Sequence, residues 1–230
     1  MKTPTNQLRV ILAAVLMLIA TFPALAYDFK VGDIYYNVID ETSKTVEVTY
    51  GDNKYSGSIT IFPSVTYNGI TYSVTKIGEV AFRDCFSLTS ITMPNSVTSI
   101  GSNAFYGCIG LTSIILPKSL TEIAWGAFCR CTGLTSITLP NSVTKIGYAV
   151  FSGCTGLTSI TIPNSVTEIG EVAFCRCTGL TSITIPNPVT EIGERAFSGC
   201  SGLKTIIIQN PNIEIGDDAI PEGILVIIKK

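Results

Sequence analysis

The stretch L-T-S-I-T-I-P-N-S-V-T-E-I-G-E-V-A-F-C-R-C-T-G, residues 157–179, decides the fold because its pattern recurs along most of the chain. The spacing is constant at 23 residues and holds for four columns, each of one residue type. A fixed period of this length predicts stacked coils, each built from one copy of the unit. The columns are Ile77, Ile100, Ile123, Ile146, Ile169, Ile192 and Ile215; Phe82, Phe105, Phe128, Phe151, Phe174 and Phe197; Cys85, Cys108, Cys131, Cys154, Cys177 and Cys200; and Leu88, Leu111, Leu134, Leu157, Leu180 and Leu203.

Each unit contains two short extended segments. Leu157, Ile160 and Ile162 match the L-x-x-L-x-L pattern of a strand whose three apolar side chains point inward. Pro163 ends this strand because proline lacks a backbone N–H. A second short extended piece follows around Ile169. We therefore expect two rows of parallel strands, with neighbouring coils about 4.8 Å apart.

A bend and a turn complete the unit. Gly170 permits the bend, and Ala173 begins the turn. Phe174 and Cys177 are three residues apart, which is the spacing of one helical turn that packs both side chains inward. The unit therefore predicts a mainly β solenoid with short helical turns.

A stack of coils needs caps because each terminal coil has one flat face without a neighbour. Residues 27–75 are predicted to form an N-terminal β cap with two strand-like runs, a degenerate repeat and a hairpin signal at Asn68-Gly69. Residues 76–230 are predicted to form the solenoid, ending in a terminal strand.

The N-terminus, residues 1–26, has the features of a secretory signal peptide. Lys2 and Arg9 precede an apolar run, and an A-x-A cleavage pattern ends at Ala26. The apolar run is too short to span a bilayer. We predict cleavage after Ala26, which changes the formal net charge from −2 to −4. The expected location is therefore secreted or at the cell envelope, without a membrane span after cleavage.

The unit I-G-x-x-A-F-x-x-C-x-x-L-T-S-I-T-[IL]-P-x-S-V-T resembles the BspA-like leucine-rich repeat of secreted and surface proteins. The resemblance covers residues 57–228, with small departures at Ala124, Val150 and Pro188. It implies a right-handed leucine-rich-repeat solenoid. It also implies a non-catalytic role in adhesion to host matrix proteins such as fibronectin and fibrinogen, at the cell surface or after secretion.

Composition argues against two functional classes. With 46% hydrophobic residues, 14% charged residues and a net charge of −2, the chain does not favour binding to nucleic acid. The absence of histidine from the sequence removes Ser-His and Cys-His arrangements and the commonest general base. Four carboxylates on neighbouring coils could form the pair of acids that a glycosidase needs. We prefer the interpretation that they form a solvated edge, whose negative charge is partly balanced by Lys145. The four are Glu168, Glu171, Glu191 and Glu194. No cofactor is predicted.

Eight cysteines in an exported chain permit disulfides. Six of them, however, lie in one column and point the same way from successive coils, an arrangement that rarely meets the disulfide dihedral angle. We predict buried free thiols for this column. Cys129 and Cys175 lie two coils apart, about 10 Å, which is too far for a mutual bond. Their redox state is left open. A metal site is not predicted, because the column cysteines point inside.

The first candidate binding surface is the outer face of the main strands. Its outward positions carry hydroxyls, among them Ser136, Thr138, Ser159 and Thr161, and Ile115 and Ile207 interrupt the array. Serine and threonine suit exposed strand positions, so a plain solvated sheet is one interpretation. An extended surface for a peptide, a glycan or a crystal face is the other.

The second candidate surface lies just after the bend. Trp125 and Tyr148 share one column on adjacent coils, and Tyr106, Arg130 and Arg176 occupy the adjoining turn. Aromatic and arginine side chains are the usual energetic anchors of interfaces. The alternative is that these side chains only cover the turns beneath them.

The sequence favours an exported binding module that engages an extracellular protein or glycan through its solenoid surface. Two alternatives remain: a structural protein that self-associates outside the cell, and a hydroxyl-array binder of glycan or ice. A hydrolase would need a deep pocket that near-identical coils are not expected to form. The oligomeric state and the ligand are not specified by the sequence.

Overall fold

The computed structural model describes residues 27–229, and the predicted signal peptide lies outside these described residues. They form a parallel β-solenoid of about seven turns. The strands are β1 (Phe29–Val31), β2 (Ile34–Asp40), β3 (Thr45–Thr49), β4 (Gly57–Thr60), β5 (Ser64–Tyr67), β6 (Ile70–Ile77), β7 (Leu88–Thr92), β8 (Ser99–Ile100), β9 (Ser113–Ile115), β10 (Glu122–Ile123), β11 (Ser136–Thr138), β12 (Lys145–Ile146), β13 (Ser159–Thr161), β14 (Glu168–Ile169), β15 (Ser182–Ile185), β16 (Glu191–Ile192), β17 (Thr205–Ile208), β18 (Glu214–Ile215) and β19 (Leu225–Ile228).

The first strands form a mixed sheet at the N-terminal end of the stack. Strands β1, β2 and β3 are antiparallel neighbours, and β3 then pairs in parallel with β6. Strands β5 and β6 form a hairpin around Asn68 and Gly69, whose φ angles of 50° and 78° fit the predicted tight turn. The solenoid continues from this sheet because β6 pairs in parallel with β8, and β4 with β7.

The regular part consists of five full coils and a sixth that includes the last strands. We number them coil 1 (residues 88–110), coil 2 (111–133), coil 3 (134–156), coil 4 (157–179), coil 5 (180–202) and coil 6 (203–228). Odd-numbered strands from β7 to β19 form the main sheet face, and even-numbered strands from β8 to β18 form a second row. Pairing is in register: Ser136 lies opposite Ser113 on one side and Ser159 on the other. Each column therefore runs straight along the stack.

The predicted helical turns are single hydrogen-bonded turns, and residues 27–229 contain no helix. In the turn before coil 1, alternate N–H groups donate to the next coil, as Phe82 does to the carbonyl of Ala104 at 2.7 Å. The N–H groups between them donate three residues back, as Cys85 does to Phe82. This alternation needs left-handed residues, here Val80 (φ 51°) and Asp84 (φ 56°), which interrupt any helix.

The core is a stack of identical layers. The six phenylalanines of the column are fully buried. Their rings are stacked, with adjacent centroids 5.0 to 5.6 Å apart. Tyr55 covers the N-terminal end of the stack, 4.7 Å from Phe82. Offset aromatic contacts of this kind add to the free energy of burial, so each coil is stabilised by both neighbours.

Close approach of the coils explains a column of glycines. A Cβ on Gly156 would lie 2.4 Å from the carbonyl oxygen of Thr132 in the coil before it. The other glycines of this column are in the same position relative to the preceding backbone: Gly110, Gly133, Gly179 and Gly202. Ser87 stands at the corresponding position before coil 1, where the preceding element is the N-terminal sheet. Glycine is therefore required at this position only where one regular coil stacks on another.

Candidate binding surfaces

The main sheet face presents hydroxyls that are available to a ligand. Ser136, Thr138, Ser159 and Thr161 are all exposed and aligned by the strand register. Within the described residues, none of these four hydroxyls has a hydrogen-bond partner. Serines on the following turn behave differently: Ser165 Oγ donates to the carbonyl of Val143 in the previous coil at 2.7 Å. The hydroxyls of the main sheet face are therefore exposed, whereas those of the following turn join neighbouring coils.

A cavity of about 640 Å³ lies on the main sheet face between coils 2 and 3. Ile115, 80% exposed, lines it together with Lys118 and Thr138. The predicted site included Thr138 and took Ile115 as an interruption of the hydroxyl array, but it did not include this cavity. The available signal was that Ile115 and Lys118 both depart from the residues at the same positions in coils 1, 3, 4 and 5.

Trp125 and Tyr148 occupy the same position just after the bend on adjacent coils. Each is 51% exposed. Their backbones are tied together because the N–H of Gly126 donates to the carbonyl of Tyr148 at 2.9 Å. Two large, half-exposed rings are therefore held on adjacent coils of a rigid stack.

Tyr106 is held between two arginines on the adjoining turn. The guanidinium carbons of Arg83 and Arg130 lie 5.1 and 5.6 Å from the centre of its ring. Both distances are within the range of a cation–π interaction. Arg83 was not among the predicted site residues, although it occupies the same column as Tyr106, one coil earlier.

Arg176 does not join this cluster, since it lies two coils beyond Arg130, at about 10 Å along the stack. Both arginines have left-handed backbones, with φ angles of 58° and 59°. The coils between and after them have Gly153 and Gly199 at this position. A Cβ on Gly153 would lie 3.3 Å from Cγ of Arg130, so the glycine leaves room for the arginine side chain. The predicted patch is therefore divided, with Arg176 apart from the aromatic group.

The second row of strands carries an acidic edge. Glu191 lies in register between Glu168 and Glu214 on β14, β16 and β18. Lys145, opposite Glu168, forms an ion pair with it. The hydrogen bond and charge of the Glu168 carboxylate raise the pKa of the Lys145 ammonium. This ion pair agrees with the predicted solvated edge, in which Lys145 partly balances the charge of the glutamates.

All eight cysteines are free, and the six of the column are buried, which confirms the predicted ladder of thiols. Each of these thiols after the first donates to a phenylalanine carbonyl in the preceding coil, as Cys131 does to Phe105 at 3.0 Å. Burial raises their pKa values, to about 11 for Cys200. Cys129 is half-buried, and desolvation raises its pKa as well.

Within residues 27–229, no three histidine, cysteine, aspartate or glutamate side chains converge as metal ligands would. The same part of the chain includes no helix of a length and hydropathy suited to crossing a membrane.

The fold and its repeating columns define a leucine-rich-repeat solenoid. The family model for the BspA type leucine rich repeat region matches in six copies, over residues 61–177 and 121–223. The chain therefore belongs to the BspA-type leucine-rich-repeat family. A comparison with curated protein sequences gives no significant match.

Solved structures with the same fold come from bacteria. The leucine-rich-repeat protein TpLRR of T. pallidum is 30% identical with a TM-score of 0.70, and the match covers 87% of this chain and 91% of TpLRR. A leucine-rich cell surface protein of Faecalibacterium prausnitzii is 32% identical with a TM-score of 0.63. That match covers 84% of this chain and 56% of the other.

Proposed function

We propose that the protein is a secreted or cell-surface binding module that engages an extracellular protein through the aromatic patch. We define the aromatic patch as Trp125, Tyr148, Tyr106 and Arg130. The observation that carries the proposal is that Trp125 and Tyr148, each half-exposed, occupy the same position on adjacent coils whose backbones are hydrogen-bonded there. The predicted signal peptide and the cell-surface relative support the location.

The chemistry of the aromatic patch suits a protein partner. Trp, Tyr and Arg are the residue types that contribute most to binding energy at protein interfaces. A rigid ring loses little conformational entropy on binding. Here the stacked coils fix the backbone beneath both rings, and two arginines hold the ring of Tyr106. The columns that repeat without change are buried, so specificity must come from exposed positions that vary.

The test is binding of the mature chain to immobilised fibronectin and fibrinogen, together with a glycan array. Trp125→Ala combined with Tyr148→Ala should weaken protein binding at least tenfold, because two anchor residues are lost. Glu171→Ala combined with Glu194→Ala changes the same column in coils 4 and 5 and should leave binding unchanged. Equal binding by wild type and the aromatic double variant, with both folded, would refute the proposal.

The hydroxyl array supports a second candidate, an extended surface for a glycan or an ice lattice. The observation that favours it is the row of aligned hydroxyls without partners in the described residues, from Ser136 to Thr161. Thr138→Leu combined with Thr161→Leu should then abolish glycan binding or ice-growth inhibition and preserve the aromatic patch. Unchanged activity in that variant would exclude the hydroxyl array.

A further inference from the structure

Coil 2 departs from the repeat at two exposed positions of the main sheet face. Ile115 stands where coils 1, 3, 4 and 5 have threonine, and Lys118 stands where they have asparagine. Neither change is needed for packing, because both side chains are exposed. The threonines are Thr92, Thr138, Thr161 and Thr184, and the asparagines are Asn95, Asn141, Asn164 and Asn187.

Both departures line the same cavity, the one of about 640 Å³ between coils 2 and 3. Its accessible apolar surface comes mainly from Ile115, which is 80% exposed, because Leu116 and Leu139 also line the cavity but are buried. Lys118 is the only charged residue that lines it. Within residues 27–229, the Lys118 ammonium has no carboxylate partner. The cavity therefore combines an apolar surface with one uncompensated positive charge.

We propose that this cavity binds an extended peptide segment of a partner protein, in which a large apolar side chain lies next to a carboxylate. The apolar side chain packs on Ile115, because burying the exposed surface of this residue is favourable. The carboxylate pairs with the Lys118 ammonium, and the Thr138 hydroxyl and Asn141 amide are placed to bond the peptide backbone.

The exposed Ile115 side chain favours a peptide over an acidic sugar. A pyranose would place hydroxyls against Ile115, whose side chain offers no hydrogen-bond partner, and unpaired polar groups are costly to bury. A leucine or phenylalanine side chain has no such cost. The site is separate from the aromatic patch because β10 intervenes between Lys118 and Trp125.

Methyl NMR of the mature protein tests the proposal with small probes. With isoleucine methyls labelled, acetyl-Leu-Glu-amide at millimolar concentration should produce saturable shifts at Ile114 and Ile115. Acetyl-Leu-Gln-amide should bind about threefold more weakly, the contribution of one exposed ion pair. Acetyl-Ala-Glu-amide should bind more weakly still, because little apolar surface is buried. These probes report on this cavity whether or not the aromatic patch binds a protein.

Two variants, designed by exchanging residues between equivalent positions of the coils, test the two parts of the proposal separately. Lys118→Asn restores the residue of the neighbouring coils and should make the Leu-Glu and Leu-Gln probes bind equally. Thr161→Ile combined with Asn164→Lys transfers both departures to coil 4 and should create a second saturable set of shifts at Ile160 and Ile162. No saturable shift in the wild type would overturn the proposal. Equal binding of the Glu and Gln probes to the wild type, or stronger binding of glucuronic acid, would overturn it as well.

Discussion

Replacing Gly156 by alanine should open the stack between coils 2 and 3. The new Cβ would lie 2.4 Å from the carbonyl oxygen of Thr132, about 1.0 Å short of ordinary van der Waals contact at 3.4 Å. The Thr132 oxygen is a backbone atom and the new Cβ is fixed by the backbone of residue 156. Hydrogen bonds hold the chain at both places, from the N–H of Thr132 to the carbonyl of Arg130 and from the N–H of Leu157 to the carbonyl of Cys154. Neither side can yield by a change of rotamer. We expect a loss near the upper end of overpacking effects, about 3 kcal/mol.

Gly147→Ala is a matched control in the same coil. Its Cβ would meet nothing closer than 3.9 Å, and its backbone is not left-handed. The substitution should be neutral or stabilise the protein by up to about 1 kcal/mol, because alanine restricts the unfolded chain. Ala124 already occupies this position in coil 2.

Thermal unfolding followed by circular dichroism measures the difference. For a chain of this size each kcal/mol changes the midpoint temperature by about 2–4 °C, so Gly156→Ala should melt about 6–12 °C below the wild type. Gly147→Ala should melt at or slightly above it. If the two variants melt at the same temperature, close approach of the coils is not the reason for the glycine column.

Three further predictions concern the core. Phe128→Ala removes a fully buried ring stacked between two others and should cost about 3–5 kcal/mol, measured by urea unfolding against the milder Phe128→Leu. Iodoacetamide at neutral pH should label at most Cys129 and Cys175 in the native protein, and all eight thiols in denaturant, read by mass spectrometry; labelling of the column in the native state would contradict its burial. Because burial raises the pKa of column thiols such as Cys200, to about 11 from its ordinary 9.0, their contribution to stability is complete below pH 9 and declines as pH rises towards the folded value. The melting temperature under reducing conditions should therefore fall above pH 9. A melting temperature that stays constant up to pH 11 would contradict the raised thiol pKa values.

The repeat made the interior predictable because its columns face the same environment in every coil. Phe128 and Cys131 were assigned to the core from spacing alone, and the structure buries both. The turn was less predictable, since a spacing of three suits either a helical turn or a single hydrogen-bonded turn. Val172 and Arg176 adopt left-handed conformations without being glycine. Other coils have glycine at the Arg176 position, at Gly107, Gly153 and Gly199, so the sequence carries only a partial sign of the interruption.

The candidate surfaces were predictable only in part. The placement of Trp125 and Tyr148 at the same position on adjacent coils follows directly from their shared column. The cavity beside Ile115 does not, because its walls come from two coils and from both a strand and the turn after it. Periodicity places residues along the stack but does not give the shape of the space between their side chains.

The central claim is that binding resides in the exposed positions that differ between coils, and above all in coil 2. Replacing residues 111–133 by a second copy of residues 180–202 keeps the repeated leucine, isoleucine, alanine, phenylalanine and cysteine of the core and removes Ile115, Lys118, Trp125 and Arg130 together. The control replaces residues 157–179 by the same copy. Affinity for the extracellular protein that the wild type captures from the fibronectin and fibrinogen panel should fall at least tenfold in the first chimaera and stay unchanged in the control, with both proteins folded. Full binding by the first chimaera would contradict the claim.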